Sequence, residues 1–419
     1  MIDRYPFPEK TVYKVLLAAY LFLILYFTRV SQVSHYLIGF YKAQFVSLLL
    51  TAGAALFFLI CRRKDFKRIV LNYRVALALL FAAAILIPMV CKRDWQMMYF
   101  SILFSILIGV FLSYFVTCCQ AAKAYTLILT ALAAYSLLTF FLLRPLADRG
   151  ILPLPVFVND YGGEFYNFLF AFVPKTLVRE RNFGIFREPG VYQFFLVLAL
   201  YLSFYHVDWE KHWHMWLCTG ILCVTILSTF STGAVLAMGL LLVTVYFGRK
   251  LYREKPGRIL TIAALVLTAA ALGYLVICKP PLYTTLVYMF RKVTPGNPSF
   301  DDRFESIRVN LHLLSFNPKV GRNVSYILEI IQDNTSSTTI LFAILGVISG
   351  WLHVIAWACL VFRGKGHVVS KLVCLLALAI TFNTQNLISE PYLWIFPIMA
   401  LVECVGELPA RIASKKKTA

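Results

Sequence analysis

Apolar runs of about 20 residues follow one another along most of this chain, at about 13–30, 40–60, 75–91, 96–118, 123–143, 190–206, 214–230, 233–248, 258–278, 338–362, 368–389 and 391–407. A run of that length matches the thickness of a bilayer core, where a helix satisfies its own backbone hydrogen bonds. The expected fold is all-α: a polytopic membrane protein of about 12 transmembrane helices, with one membrane domain over 1–419. Two boundaries are short, at Ser231-Thr232-Gly233 and at Glu390-Pro391, and a broken helix or a hairpin fits either. Composition agrees: 60% of positions are hydrophobic and 14% charged, too apolar for a single soluble core.

The net charge of +20 would raise nucleic-acid binding in a soluble chain. Here most basic residues sit in short loops between apolar runs, so topology accounts for many of them and no nucleic-acid partner is expected. With a cytoplasmic N-terminus, four basic clusters fall inside: Arg62, Arg63, Lys64, Lys67, Arg68 and Arg74; Arg249, Lys250, Arg253, Lys255 and Arg258; Arg363, Lys365 and Lys371; and Arg411 with Lys415 to Lys417. An error of one helix in the middle of the chain would put some of them outside. Both termini are therefore expected in the cytoplasm. The polar start, MIDRYPFPEKTVYK, lacks a small-residue cleavage site, so the run after it reads as a first span rather than a signal peptide. The ten cysteines show no C-x-x-C spacing and read as small buried hydrophobes.

Two long segments remain as extracytoplasmic loops, about 144–189 and about 279–337. Long loops without structural need are usually functional. In the first, the apolar stretch Phe165 to Pro174 is too short to span and reads as re-entrant or interfacial. In the second, Ser299-Phe300-Asp301-Asp302 fits a capping box, and Phe304, Ile307, Leu311 and Leu314 repeat at helical spacing. An amphipathic helix is expected at about 300–315, with Arg303 and Asn310 on one flank of its stripe and Arg308 and His312 on the other.

Arginines gather in these loops: Arg144, Arg149, Arg179, Arg181 and Arg187, then Arg291, Arg303, Arg308 and Arg322. Taken singly, each fits ordinary solvated surface. As a group at a membrane–water boundary, they suit a pyrophosphate, which guanidinium binds bidentately at any relevant pH. Arg181 and Arg187 flank the start of a helix, itself an anion-attracting place. Glu188 is the nearest acid, either functional or simply stabilised by the helix dipole. Asp333 and Asn334, before another helix, are either functional or N-capping. Asn383, Gln385, Asn386 and Glu390 fit a cavity-facing cluster or plain helix–helix hydrogen bonding. No H-E-x-x-H, Walker A or G-x-G-x-x-G pattern occurs, so neither a metal site nor a nucleotide cofactor is expected.

In order and spacing these motifs resemble the O-antigen polymerase and ligase superfamily of bacterial envelope proteins, most of all the Wzy-type polysaccharide polymerases. The matching features are R-x-x-G-x-F-x-E-P (Arg181, Gly184, Phe186, Glu188, Pro189) and D-R opening a loop helix (Asp302, Arg303). N-P-x-x-G follows (Asn317, Pro318, Gly321), and then D-N before L-G-x-x-x-G (Asp333, Asn334, Leu345, Gly346, Gly350). Their layout covers nearly the whole chain. The resemblance implies a GT-C-like membrane glycosyltransferase of the bacterial cytoplasmic membrane. Such an enzyme transfers a glycan from undecaprenyl pyrophosphate to another lipid-linked repeat on the outer face. A ligase would transfer it to lipid A core. Ligases commonly carry a histidine-asparagine pair where this chain has Asp333-Asn334.

The resemblance carries catalytic roles to Arg181 and Arg303, with Glu188, Asp333 or His312 as general base. It gives substrate-binding roles to Arg187, Arg308, Asn310, His312, Arg322 and Asn334. Beyond the lipid-linked glycan and membrane lipid, the implied partners are a chain-length regulator and a flippase. A reporter domain fused near Gly296 is expected to read as extracytoplasmic; a cytoplasmic signal would overturn this topology.

Overall fold

A computed structural model describes residues 11–38, 40–61, 72–158, 163–175, 181–248, 287, 291, 294, 296–331 and 334–418. The expected span at 258–278, the basic clusters at 62–68 and 249–258, Arg179 and Asp333 lie outside the described residues.

The chain is mostly helical. In order come α1 (Thr11–Tyr26), a π-helical turn (Val33–Ile38), α2 (Phe40–Cys61), α3 (Tyr73–Lys92), α4 (Met97–Ser113) and α5 (Cys118–Leu138). The last of these runs on through a second π turn into α6 (Arg144–Asp148). After a small sheet come α7 (Pro189–Tyr205), α8 (His212–Ser228), α9 (Thr232–Gly248), α10 (Pro298–Phe316), α11 (Val324–Ile330), α12 (Ser337–Arg363), α13 (Val368–Phe382) and α14 (Pro391–Thr418). Among the described residues, four helices are long and apolar enough to cross a membrane: 73–92, 118–148, 337–363 and 391–408. Seven shorter apolar helices accompany them.

Two helices form the centre. Residues 191–205 of α7 are buried on every side, and residues 391–403 of α14 are nearly so. A helix apolar all round has no face to give to water, so others must wrap it. Proline opens both, at the helix position where its missing N–H leaves nothing unsatisfied. The two helices meet through Phe195 and Tyr392, with ring centroids 6.0 Å apart.

The connections between helices sort into two sets at opposite ends of this bundle. At one end Arg74 lies buried with its guanidinium 4.8 Å from the Tyr114 ring, and the Cys118 amide donates to Glu403. There too Lys365 pairs with Asp208, Lys123 with Glu210, and Arg363 with Glu403 and Glu407. At the other end the 27–32, 93–96, 181–188, 229–231, 317–336 and 383–390 segments hydrogen-bond among themselves. Chain segments alternate between the two ends, as serial antiparallel crossing requires.

The first long loop differs from expectation. Phe165 to Pro174 is not helical; it supplies two strands of a three-stranded antiparallel sheet, β1 (Val156–Val158), β2 (Glu164–Asn167) and β3 (Phe172–Pro174). The Asn167 side chain accepts from the Leu169 amide at 2.8 Å, and Leu169 takes φ +70°. That asparagine turn folds the stretch back on itself, and Phe165 and Phe172 are buried with Phe183. The loop helix also starts earlier than its capping box implied. Pro298 is its first residue, the Asn297 carbonyl accepts from the Phe300 and Asp301 amides, and Ser299 lies inside the first turn.

α12 is broken at Gly346, at φ +81° and ψ 179°. The N-P-x-x-G turn fills the break. The Val347 amide donates to the Pro318 carbonyl at 2.8 Å, and the Arg322 amide donates to the Ala343 carbonyl at 2.7 Å. Lys92 Nζ donates to the Ile344 carbonyl and, at 3.0 Å, to the Arg322 carbonyl. Both glycines are sterically required. A Cβ on Gly321 would stand 2.5 Å from the Ala343 carbonyl oxygen, and one on Gly346 would overlap the Lys319 carbonyl. Each also holds positive φ. Gly321→Ala and Gly346→Ala are each expected to cost roughly 2 kcal/mol or more. Their effects should fall short of additive in the double variant, because both disrupt one contact. Thermal unfolding in detergent measures this.

Candidate functional site

The R-x-x-G-x-F-x-E-P segment is tied down by its second residue. Buried Asn182 donates through Nδ2 to Ser136 Oγ and Ser228 Oγ, both at 3.1 Å, and its Oδ1 accepts from the Gly184 amide. Gly184 takes φ +55°, and a Cβ there would lie 2.7 Å from the Tyr192 ring. Phe186 stacks on Phe195 at 4.3 Å, anchoring the loop to α7. Arg181, half-buried, donates from Nε to the Thr229 carbonyl at 3.0 Å. The Arg187 amide donates to the Val30 carbonyl, and the Gln32 amide to the Ile185 carbonyl, so the α1–α2 connection lies alongside. Arg187 Nε stands 3.6 Å from Glu188 Oε1, too long for a hydrogen bond, and Nε is buried with no hydrogen-bond partner among the described residues.

Two residues given no catalytic or binding role by the resemblance join this group. Glu390 is 1% exposed, lies in the α13–α14 connection outside both helices, and feels the charges of Arg29 and Arg187. Its Oε2 has no hydrogen-bond partner among the described residues. Arg29 donates to Ser389 Oγ at 3.4 Å. Burial pushes the Glu390 carboxyl up to about 7, against the opposing pull of the two arginines and a Val30 backbone hydrogen bond. A sequence signal existed for Glu390. Glu390-Pro391 repeats Glu188-Pro189, an acid before a helix-opening proline. Arg29 had none beyond its place at the end of an apolar run.

The second long loop brings its own set. Asn310 and Asn334 exchange amide hydrogen bonds at 2.8 and 3.1 Å, and Asn310 also donates to Thr339 Oγ1 at 2.9 Å. Arg303 is half-buried and makes no hydrogen bond or ion pair among the described residues. Burial lowers its affinity for the proton, partly offset by Asp302. Arg308 lies on the exposed face of α10, bonded through two nitrogens to Glu305 at 2.9 and 3.0 Å. His312, also exposed, sets its ring edge-on to Phe316 at 4.8 Å. Arg322 stands 5.3 Å from the Phe316 ring and 5.9 Å from the Tyr326 ring. With Asn323, Ser325, Tyr326 and Glu329 it lines an open cavity of about 310 Å³.

The α13–α14 connection joins the two sets. Asn383 Oδ1 accepts from Ser336 Oγ at 2.6 Å, and the Gln385 carbonyl accepts from Ser337 Oγ. Thr384 bonds Gln193 on α7, which in turn bonds Ser231. The polar residues at 383–385 thus act as hydrogen-bonding hubs between helices, and Glu390 lies buried beyond them. Of the expected residues, Arg187 and Glu188 stand side by side, Arg181 anchors the start of the same loop at Thr229, and Asn310 pairs with Asn334. Arg308 and His312 point away on the solvent side of α10. Guanidinium groups at one end, held among neutral hydrogen-bonding groups, can bind a polyanion. Glu188 and Glu390 beside them can move a proton.

No protein-family model matches this chain, and no curated protein sequence is significantly similar to it.

Glu390 carries a testable pH signature. Between the ordinary glutamate value of 4.5 and about 7, the folded chain holds a proton that the unfolded chain has released. Stability from this group therefore declines as pH rises through that window and stays low above it. Glu390→Gln should match the wild type below about pH 4 and exceed it above about pH 7, by on the order of 3 kcal/mol. Thermal midpoints of the two proteins across pH check this.

Proposed function

We propose that this chain is a polymerase of undecaprenyl-pyrophosphate-linked oligosaccharide repeat units, serving O-antigen, capsule or exopolysaccharide. It acts as a metal- and nucleotide-independent glycosyltransferase. About 12 spans cross the bacterial cytoplasmic membrane, with both termini inside and the two long loops outside. One observation carries the reading. The R-x-x-G-x-F-x-E-P loop adjoins the 383–390 connection, and the D-R loop helix, about 120 residues away in sequence, is hydrogen-bonded to the start of α12, where Ser336 bonds Asn383 of that same connection.

In the proposed reaction a hydroxyl oxygen of the acceptor repeat attacks the anomeric carbon of the donor glycan. The new glycosidic bond forms as the bond from that carbon to the pyrophosphate oxygen breaks. The leaving undecaprenyl pyrophosphate keeps the bonding electrons. Arg181 and Arg303 stabilise its growing charge, with Arg187 and Arg322 in support. The acceptor's proton passes to a carboxylate. Glu188 and Glu390 stand beside Arg187 for that task, and Asp333 and His312 are the other candidates.

Deleting the protein from its host and resolving surface glycan on a gel tests the class. Loss of a polymerase leaves single repeats attached. Loss of a ligase leaves no glycan on lipid A core, and loss of a flippase leaves no repeat exposed. Arg181→Ala and Arg303→Ala should each cut polymerisation about 100-fold or more. Full-length chains from both variants would refute the site assignment.

A further inference from the structure

In α10 each residue turns about 100° from the last, so the burial of its side chains divides the helix into sectors. Ser306, Asn310 and Leu313 are buried and form the row that packs toward α12. Asp301, Glu305, Arg308 and His312 are exposed and polar, a water-facing sector. Between the two lies a third sector of Phe300, Phe304 and Leu311. Phe304 is 65% exposed and Leu311 50%. Phe300 and Phe304 stack at 5.6 Å, so the seam is continuous.

A helix on the surface of a soluble domain turns its apolar stripe inward. Here the Asn310–Asn334 hydrogen bonds hold the polar row inward instead, and half of the apolar stripe is left facing out. The occupant follows from what adjoins it. The turn after α10 docks on α12 at Val347, and immediately past that point Ile348 is 69% and Trp351 54% exposed. Those two belong to a helix long and apolar enough to cross a membrane. The exposed apolar residues of the span begin one residue past the docking turn, and the seam of α10 reaches Leu311, a short way before that turn, while Asp301, Glu305, Arg308 and His312 lie about a quarter turn round the helix from the seam. This partition into protein, lipid and water sectors is that of an interfacial helix.

We propose that α10 lies in the boundary between lipid headgroups and acyl chains, with Phe300, Phe304 and Leu311 against bilayer lipid. A consequence concerns Arg303. On the helix it falls between the buried Asn310 row and the Phe304 seam, where protein, lipid and headgroups meet. An anionic headgroup reaching this junction finds a half-buried guanidinium.

The test needs no enzymatic activity. A photoreactive benzoyl-phenylalanine is placed singly at Phe304, Leu311, Arg308 or His312 of the full chain, in nanodiscs of phosphatidylethanolamine and phosphatidylglycerol. After illumination, adducts are identified by mass spectrometry. Size-exclusion profiles matching the wild type show that each variant is folded. Lipid adducts at 304 and 311, at least about tenfold above those at 308 and 312, are the expected result. Adducts from 304 and 311 to peptides, of the same chain or a second copy, would overturn the proposal. So would equal lipid labelling at all four positions, or none at 304 and 311.

Discussion

A broken helix deep in an apolar bundle leaves backbone groups that no water can reach, and each unsatisfied group there costs several kcal/mol. In α12 the break at Gly346 is tolerated because a loop turn and one lysine supply the missing partners. Pro318 accepts from Val347, Arg322 donates to Ala343, and Lys92 spans Ile344 and Arg322. Asp94, held by Tyr99, accepts from the Val324 amide at 2.7 Å and fixes the start of α11. The long loop is therefore bolted to the bundle by main-chain hydrogen bonds, with little freedom to slide. The positions of α10 before the turn and α11 after it follow from this one interlock. So do those of Arg303, Asn310 and Arg322.

The second constraint is electrostatic. Charges are expensive near lipid and persist where they are paired or used. At one end of the bundle they are paired: Arg363 bridges Glu403 and Glu407, and Lys365 meets Asp208. At the other end Arg187 stands 3.6 Å from Glu188. Glu390 Oε2 and Arg187 Nε are buried without hydrogen bonds among the described residues, and Arg303 is half-buried without an ion pair there. Incomplete satisfaction of buried polar groups marks places where a structure is built for something other than its own stability.

Much of this was legible in the chain itself. Hydrophobic length alone placed a helix at each described apolar run, because in lipid a helix must close its own hydrogen bonds whatever its neighbours do, though ends shifted by as much as the extension of α14 to Thr418. The motif glycines were legible as well: Gly184, Gly321 and Gly346 stand where positive φ and close backbone approach admit only glycine. The sheet was not. Phe165 to Pro174 carries an apolar run whose direction is decided by a single asparagine turn, a local signal weaker than the hydrophobicity around it. Glu390 and Arg29 were overlooked as a pair because 360 residues separate Arg29 from the adjoining Ser389, and no local pattern records such a distance.

The sequence by itself determined that the chain is built of apolar helices, roughly where they lie, and which loops hold arginine, since these depend on side-chain hydrophobicity and short-range backbone chemistry. Only the tertiary structure decided which polar residues meet. It turned Arg308 and His312 toward solvent, set Glu390 within the field of Arg187, and put the apolar stripe of α10 to one side of its packing face. Those outcomes rest on hydrogen bonds between segments far apart in the chain, Asn310 with Asn334 and Ser336 with Asn383. Periodicity shows that a helix has two faces, and only the partner's polar groups fix which one is buried.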